Sequence, residues 1–188
     1  DDSIPEAREI WLTELTAKRE ESQAAMAAYF NEEGSPIHPI RVCAEIANVL
    51  PKDTIIVPGQ GDFDYWADAI LPVQHPGQYI RSGRSGCLGA EIPFGIAAKL
   101  ARPDAPVLVT VGDGGFGFSA MELDTAARYN APIVLVVGND SKWNMIKAQM
   151  TAMYGEEADI FIDLEPRQYH KVAEAFGGYG EYVSEPAQ

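Results

Sequence analysis

Basic residues are scarce in this sequence. Across 188 residues, 14 lysines and arginines stand against 28 aspartates and glutamates, a formal charge of −14 with histidine neutral. Nucleic-acid binding depends on cations that neutralise phosphates, so this deficit argues against a nucleic-acid partner and disfavours an anionic membrane surface. Cysteine is rare as well: Cys43 and Cys87 lie far apart and make neither a metal spacing nor a disulfide framework. The three histidines, His38, His75 and His170, sit beside prolines or in a charged helix without ligand spacing, and each reads as a surface or linker residue. No apolar run approaches the roughly 20 residues of a membrane span. The opening DDSIPEAREIW is acidic, unlike the basic and then apolar start of a signal peptide. A reduced, cytoplasmic setting is the simplest expectation.

What is present is ordinary for a folded domain: 46% hydrophobic and 22% charged residues, in a chain long enough for one buried core. Residues 5–33 read as one long helix with Leu12, Leu15, Met26, Tyr29 and Phe30 as buried candidates, and NEEGSPIHP (31–39) as a linker. A helix is expected over 40–50 with Val42, Ile46 and Val49 inward. TIIVP (54–58), PVLVTV (106–111) and PIVLVVG (132–138) are continuous apolar runs bounded by turn residues, the pattern of strands buried on both faces. Helices are expected behind the glycines of 82–101, over 119–130 and near 166–176. The chain beyond NDSKWNMIK reads as irregular, and EYVSE as the start of a last strand. Strands alternating with helices predict a three-layer α/β/α sandwich on a mostly parallel sheet, with ligands beyond the carboxyl ends of the strands. The loops after Pro58, Val111 and Val137 are therefore the informative ones.

The second of these reads VGDGGFGFS, with Asp113 inside a glycine-rich turn. Glycines such as Gly114, Gly115 and Gly117 admit close approach of a ligand, and their amides suit an anion. An aspartate beside a phosphate is repulsive unless a cation stands between them. Ser119 and Glu122 form S-x-x-E, a capping box that places the helix start at Ser119 and explains Glu122 without catalysis. The third loop, GNDSKW, sets Asp140 one strand away, roughly 4.8 Å in a parallel sheet. Two carboxylates there are within reach of one Mg²⁺, which commonly takes one or two carboxylates plus phosphate oxygens. Gly112, Gly114 and Gly117 also fit the G-x-G-x-x-G of dinucleotide folds, with Asp140 at 23 residues after Gly117. That reading leaves Asp113 facing a pyrophosphate without counter-charge, and puts the turn after the wrong strand.

GDG at 112–114 and ND at 139–140, whose two aspartates stand 27 positions apart, resemble the metal and cofactor motif of thiamine diphosphate (ThDP)-dependent enzymes. The surrounding text, from PGQYIRSGRSGCLGAEIPFGIAAKLA to PIVLVVGND, resembles the acetolactate synthase and 2-hydroxyacyl-CoA lyase branch over about residues 36–183. The usual Asn of the second pair is Asp140 here, which still offers a carboxylate oxygen. The resemblance implies that Asp113, Asp140 and the carbonyl of Lys142 hold Mg²⁺. It implies that Gly112, Gly114 and Gly115, with Gly59, Gln60 and Gly61, meet the diphosphate. The Gly86 carbonyl would accept from the aminopyrimidine, and Leu88 would bend the cofactor. Trp143 and Met145 either line a substrate pocket or simply pack, and Cys87 reads as a small packing residue.

The resemblance implies that the activating glutamate lies on a separate pyrimidine-binding domain, and no segment of these 188 residues reads as one. Residues 1–35 accordingly read as a helical lead-in from a preceding domain, and 36–188 as a diphosphate-binding domain short of its closing helix. The expectation is part of an oligomeric lyase or carboligase acting on a small carbonyl compound, inactive alone, with a non-catalytic assembly module as the alternative.

Overall fold

In the computed structural model, residues 3–158 and 161–188 are described. Three strands form one parallel sheet in the order β1 (Ile55–Pro58), β2 (Val107–Gly112), β3 (Val134–Gly138). Register is continuous, from Ile55 opposite Val107 to Gly112 opposite Gly138. All three predicted strands are present, shifted by at most two residues. Tyr79 bridges Ile56 in parallel, so the segment leading to Ser82 runs along the free side of β1.

Alternate strand residues point to opposite faces, and each face has its own core. Ile55, Val57, Val107, Val109 and Val111 pack with Ile92 and Ile96 of α4 (Glu91–Ala101), and with Phe116 of α5 (Asp113–Ser119). Leu123 of α6 (Glu122–Arg128) and Val172 of α8 (His170–Ala175) close that layer. On the other face Ile56 and Leu108 meet Cys43 of α2 (Pro39–Val49), and Phe63 and Ala67 of α3 (Asp62–Ile70). The expected α/β/α sandwich is therefore observed. Gly95 permits the close approach of α4: a Cβ there would overlap Val109 Cγ2.

Several local expectations are corrected. α1 (Ser3–Met26) and the 3₁₀ turn Ala27–Tyr29 replace the single helix over 5–33. Residues 5–25 are all exposed, Leu12 and Leu15 among them, because no other described element covers the helix; Tyr29 is exposed too, and Met26 and Phe30 are half-buried. In α2 the inward stripe is Ile40 and Cys43, flanked by Val42 and Ile46, while Val49 rotates out to 78% exposure. His38, read as a surface or linker residue, caps α2: its Nδ1 accepts from Ile40 N at 3.2 Å. The stretch after Trp143 is helical, α7 (Asn144–Tyr154), and its apolar residues scatter around the axis with Ile146, Met153 and Tyr154 exposed. That scatter removed the periodicity on which the reading depended. No strand forms at EYVSE.

Candidate functional site

The carboxyl ends of the three strands deliver three loops to one edge, and the segment that runs beside β1 adds a fourth. After β2, the glycine-rich run is helical from Asp113 onward, and the capping box expected at Ser119 and Glu122 is absent. Ser119 is instead the buried last residue of α5, and its Oγ has no partner. Tertiary contacts override glycine's poor helix propensity here. A Cβ on Gly114 would lie 2.6 Å from Trp143 Cε3, and one on Gly115 would lie 2.9 Å from Val111 Cγ2. Packing thus explains both glycines, whereas Gly112 and Gly117 face open space.

Asp113 opens α5 and is only 3% exposed. Its Oδ1 accepts from Gly114 N at 2.8 Å, and its Oδ2 is buried with no partner. Burial pushes its pKa up, while the amides of Gly114, Ser141 and Lys142 pull the other way. Those last two amides come from the loop after β3, where Ser141 adopts φ +57°. Asp140 Oδ1 accepts from Lys142 N at 3.2 Å. Its pKa is raised by burial first, then by the charge of Asp113, and also by Asp62. The two predicted carboxylates are therefore electrostatic neighbours that share the amide of Lys142.

This loop is tied down from outside. Trp143 N donates to Ile162 O at 2.9 Å and Leu164 N donates to Ser141 O at 2.7 Å, an antiparallel bridge centred on Lys142 and Asp163. The ladder uses the carbonyls of Ser141 and Ile162, leaving that of Lys142 outside it. Trp143 covers Gly114 and stands edge-on to Phe118 at 6.2 Å, so it packs over α5; Met145 is half-buried in the first turn of α7.

After β1, Gly59 N donates to Thr110 O at 2.9 Å and Gly61 N to Asp64 Oδ2 at 2.9 Å, so two of the loop's amides are engaged internally. Gln60 Nε2 donates to Ser82 Oγ at 3.0 Å, joining this loop to the fourth one. In that fourth loop Gly86 has φ +55°, and Leu88 reaches to 4.0 Å from a Cβ placed on Gly115. Gly86 and Leu88 thus share an edge with the Asp113 turn, and Cys87 between them is exposed instead of packed.

Three acids escaped the sequence reading. Asp64 is fully buried, accepts from Thr110 Oγ1 at 2.8 Å, and has its pKa pushed up to about 6, chiefly by burial. Glu91 is 2% exposed and accepts from Gly89 N at 3.2 Å. Asp62 accepts from Asn144 Nδ2 at 3.3 Å beside Asp140. A lone charge in the glycine and apolar run LGAEIPFG was the available signal for Glu91, because buried polar groups are the informative ones.

Among the described residues no three His, Cys, Asp or Glu side chains gather as a metal-binding group. Two carboxylates and a carbonyl suit Mg²⁺, which keeps waters and phosphate oxygens in its shell. The unpartnered Asp113 Oδ2 is the atom such an ion would satisfy.

Comparison with known proteins then gives the identity of the domain. Residues 59–188 match the model of the thiamine pyrophosphate enzyme C-terminal TPP binding domain. The chain belongs to this family. It is 40% identical over 179 residues to the acetolactate synthase large subunit IlvG of Mycobacterium tuberculosis, covering 95% of this chain and 32% of that protein. It is 32% identical over 175 residues to 2-hydroxyacyl-CoA lyase 2 of Homo sapiens, covering 93% of this chain and 27% of that one. The fold superposes on a Rhodococcus jostii RHA1 thiamine diphosphate-dependent 4-hydroxybenzoylformate decarboxylase with a TM-score of 0.75, at 24% identity, over 83% of this chain and 29% of that one. This TPP-binding domain thus spans about a third of the length of the relatives it matches. The dinucleotide reading of the glycine turn is not favoured. Among the described residues no helix is long and apolar enough to cross a membrane.

Proposed function

We propose that this chain is the part of a ThDP-dependent enzyme that holds the cofactor's diphosphate together with Mg²⁺. The enzyme would make or break a C–C bond next to a carbonyl, in acetolactate synthase-like carboligation or 2-hydroxyacyl-CoA lyase-like cleavage. The observation that carries this reading is the buried Asp113 carboxylate, whose Oδ2 lacks a partner at the edge where the β2 and β3 loops meet. Asp113, Asp140 and the main-chain carbonyl of Lys142 would ligate the ion. Gly112, Gly114 and Gly115 would line one side of the diphosphate and Gly59, Gln60 and Gly61 the other. The Gly86 carbonyl and Leu88 would fix the rest of the cofactor, and Trp143 and Met145, next to the metal loop, would line the substrate pocket.

When bound, ThDP supplies carbanion stabilisation, taking up the electrons released as the C–C bond breaks. This chain's residues anchor, orient and desolvate. Residues 1–35 would lead in from a preceding domain, with 36–188 as the diphosphate-binding domain. Turnover would require a pyrimidine-binding domain, elsewhere in the enzyme or on a second subunit of a homo- or hetero-oligomer, and the chain alone is expected to be inactive.

The test is calorimetric titration of ThDP into the chain with Mg²⁺, again with EDTA, and with NAD as control. Heat that requires the metal supports the reading. Heat from NAD, or metal-independent binding, overturns it.

A further inference from the structure

Glu91 is a buried carboxylate that none of the proposed cofactor contacts uses. It stands at the first position of α4, whose start has no side-chain cap from Ala90. Its Oε1 accepts from Gly89 N at 3.2 Å, and its own amide also holds the carboxylate. The same Oε1 lies 3.4 Å from where a Cβ of residue 115 would be, with Leu88 Cδ2 at 4.0 Å from that point. Gly89 is held at φ +84° against Phe118, which comes from the end of α5. One carboxylate therefore sits at the junction of the Gly86–Gly89 turn and the first turn of α5.

A helix start can be capped by an exposed serine or aspartate. Burying a carboxylate instead carries a desolvation cost that backbone amides only partly offset. The expense is placed where two loops must keep a fixed relation. We propose that Glu91 is a positioning residue for the cofactor: it clamps the Gly86–Gly89 turn onto α5 and so sets Leu88 and the Gly86 carbonyl relative to the backbone of Gly114 and Gly115. This rests on the ThDP reading above.

Two measurements on the chain test it: amide hydrogen exchange over residues 83–90, and ThDP affinity at fixed Mg²⁺. Glu91→Ala should lose about tenfold in protection at Gly89 and about tenfold in ThDP affinity, the size of one charge-assisted hydrogen bond. Exchange in β2 should stay unchanged. Glu91→Gln keeps an oxygen acceptor for Gly89 N and should recover both to within about threefold. Where the alanine cavity unfolds the chain, Glu91→Met fills the space without a comparable acceptor and carries the same expectation. Wild-type protection and affinity in the alanine or methionine variant would overturn the proposal, as would a glutamine variant as impaired as alanine. If wild type binds no ThDP, the cofactor reading itself falls and takes this role with it, even where exchange at Gly89 still reveals the clamp.

Discussion

Asp64 offers a sharp test of the buried electrostatics beneath the site. Its carboxylate is inaccessible to solvent, accepts from Thr110 Oγ1 and Gly61 N, and titrates near 6 in place of 3.8. The folded state holds the proton more tightly than the unfolded state. Asp64 therefore contributes most to stability below the unfolded value, and that contribution is lost as pH rises through about 6. The shift corresponds to about 3 kcal/mol in all, roughly half of it between pH 5 and 7. Asp64→Asn removes the titration while keeping both partners served, since its oxygen can accept from Gly61 N and its amide can donate to the Thr110 hydroxyl. Urea denaturation of both proteins at intervals from pH 5 to 7.5 isolates the effect, clear of the range where a chain with 28 acidic and 14 basic residues nears zero net charge. The stability difference, wild type minus variant, should fall by about 1–1.5 kcal/mol from pH 5 to 7. A flat difference, or one that rises with pH, would refute the assignment of a burial-raised carboxyl.

Asp113→Asn should be at least as stable as wild type in metal-free buffer, because it relieves a buried charge with an unpartnered oxygen. Yet it should gain no thermal shift from ThDP and Mg²⁺; thermal melts with and without both additives check the pair of outcomes. Gly95→Ala should push α4 off β2, with a cost of about 1–3 kcal/mol that outweighs alanine's better helix propensity, read from the urea midpoint.

The strands were legible because runs such as VLVTV admit little else, and parallel-sheet topology alone directs attention to the edge proposed as the site. The edge placement of Asp113 and Asp140 was legible because a charge just past an apolar run must emerge there. The helical state of residues 113–119 was not legible. It depends on Trp143 lying over Gly114 and on Val111 crowding Gly115, contacts from other parts of the chain. Asp64 was missed for a related reason: it looks like a solvated helix acid until the fold buries it. The burial expected of Leu12 and Leu15 in α1 failed in the opposite direction, since periodicity indicates which face is apolar and not whether anything covers it.

The pairing of residues 141–143 with 162–164 has a consequence for how short the domain can be made. All three strands and most of both cores are complete by residue 138, so a fragment ending near residue 158 would keep the sheet that a minimal-domain design aims to preserve. It would lose the backbone bonds from Trp143 to Ile162 and from Leu164 to Ser141 that set the loop bearing Asp140 and Lys142. The stretch that completes the sheet and the stretch that sets the proposed anchoring loop thus end at different places along the chain, and only a piece reaching past Leu164 carries both.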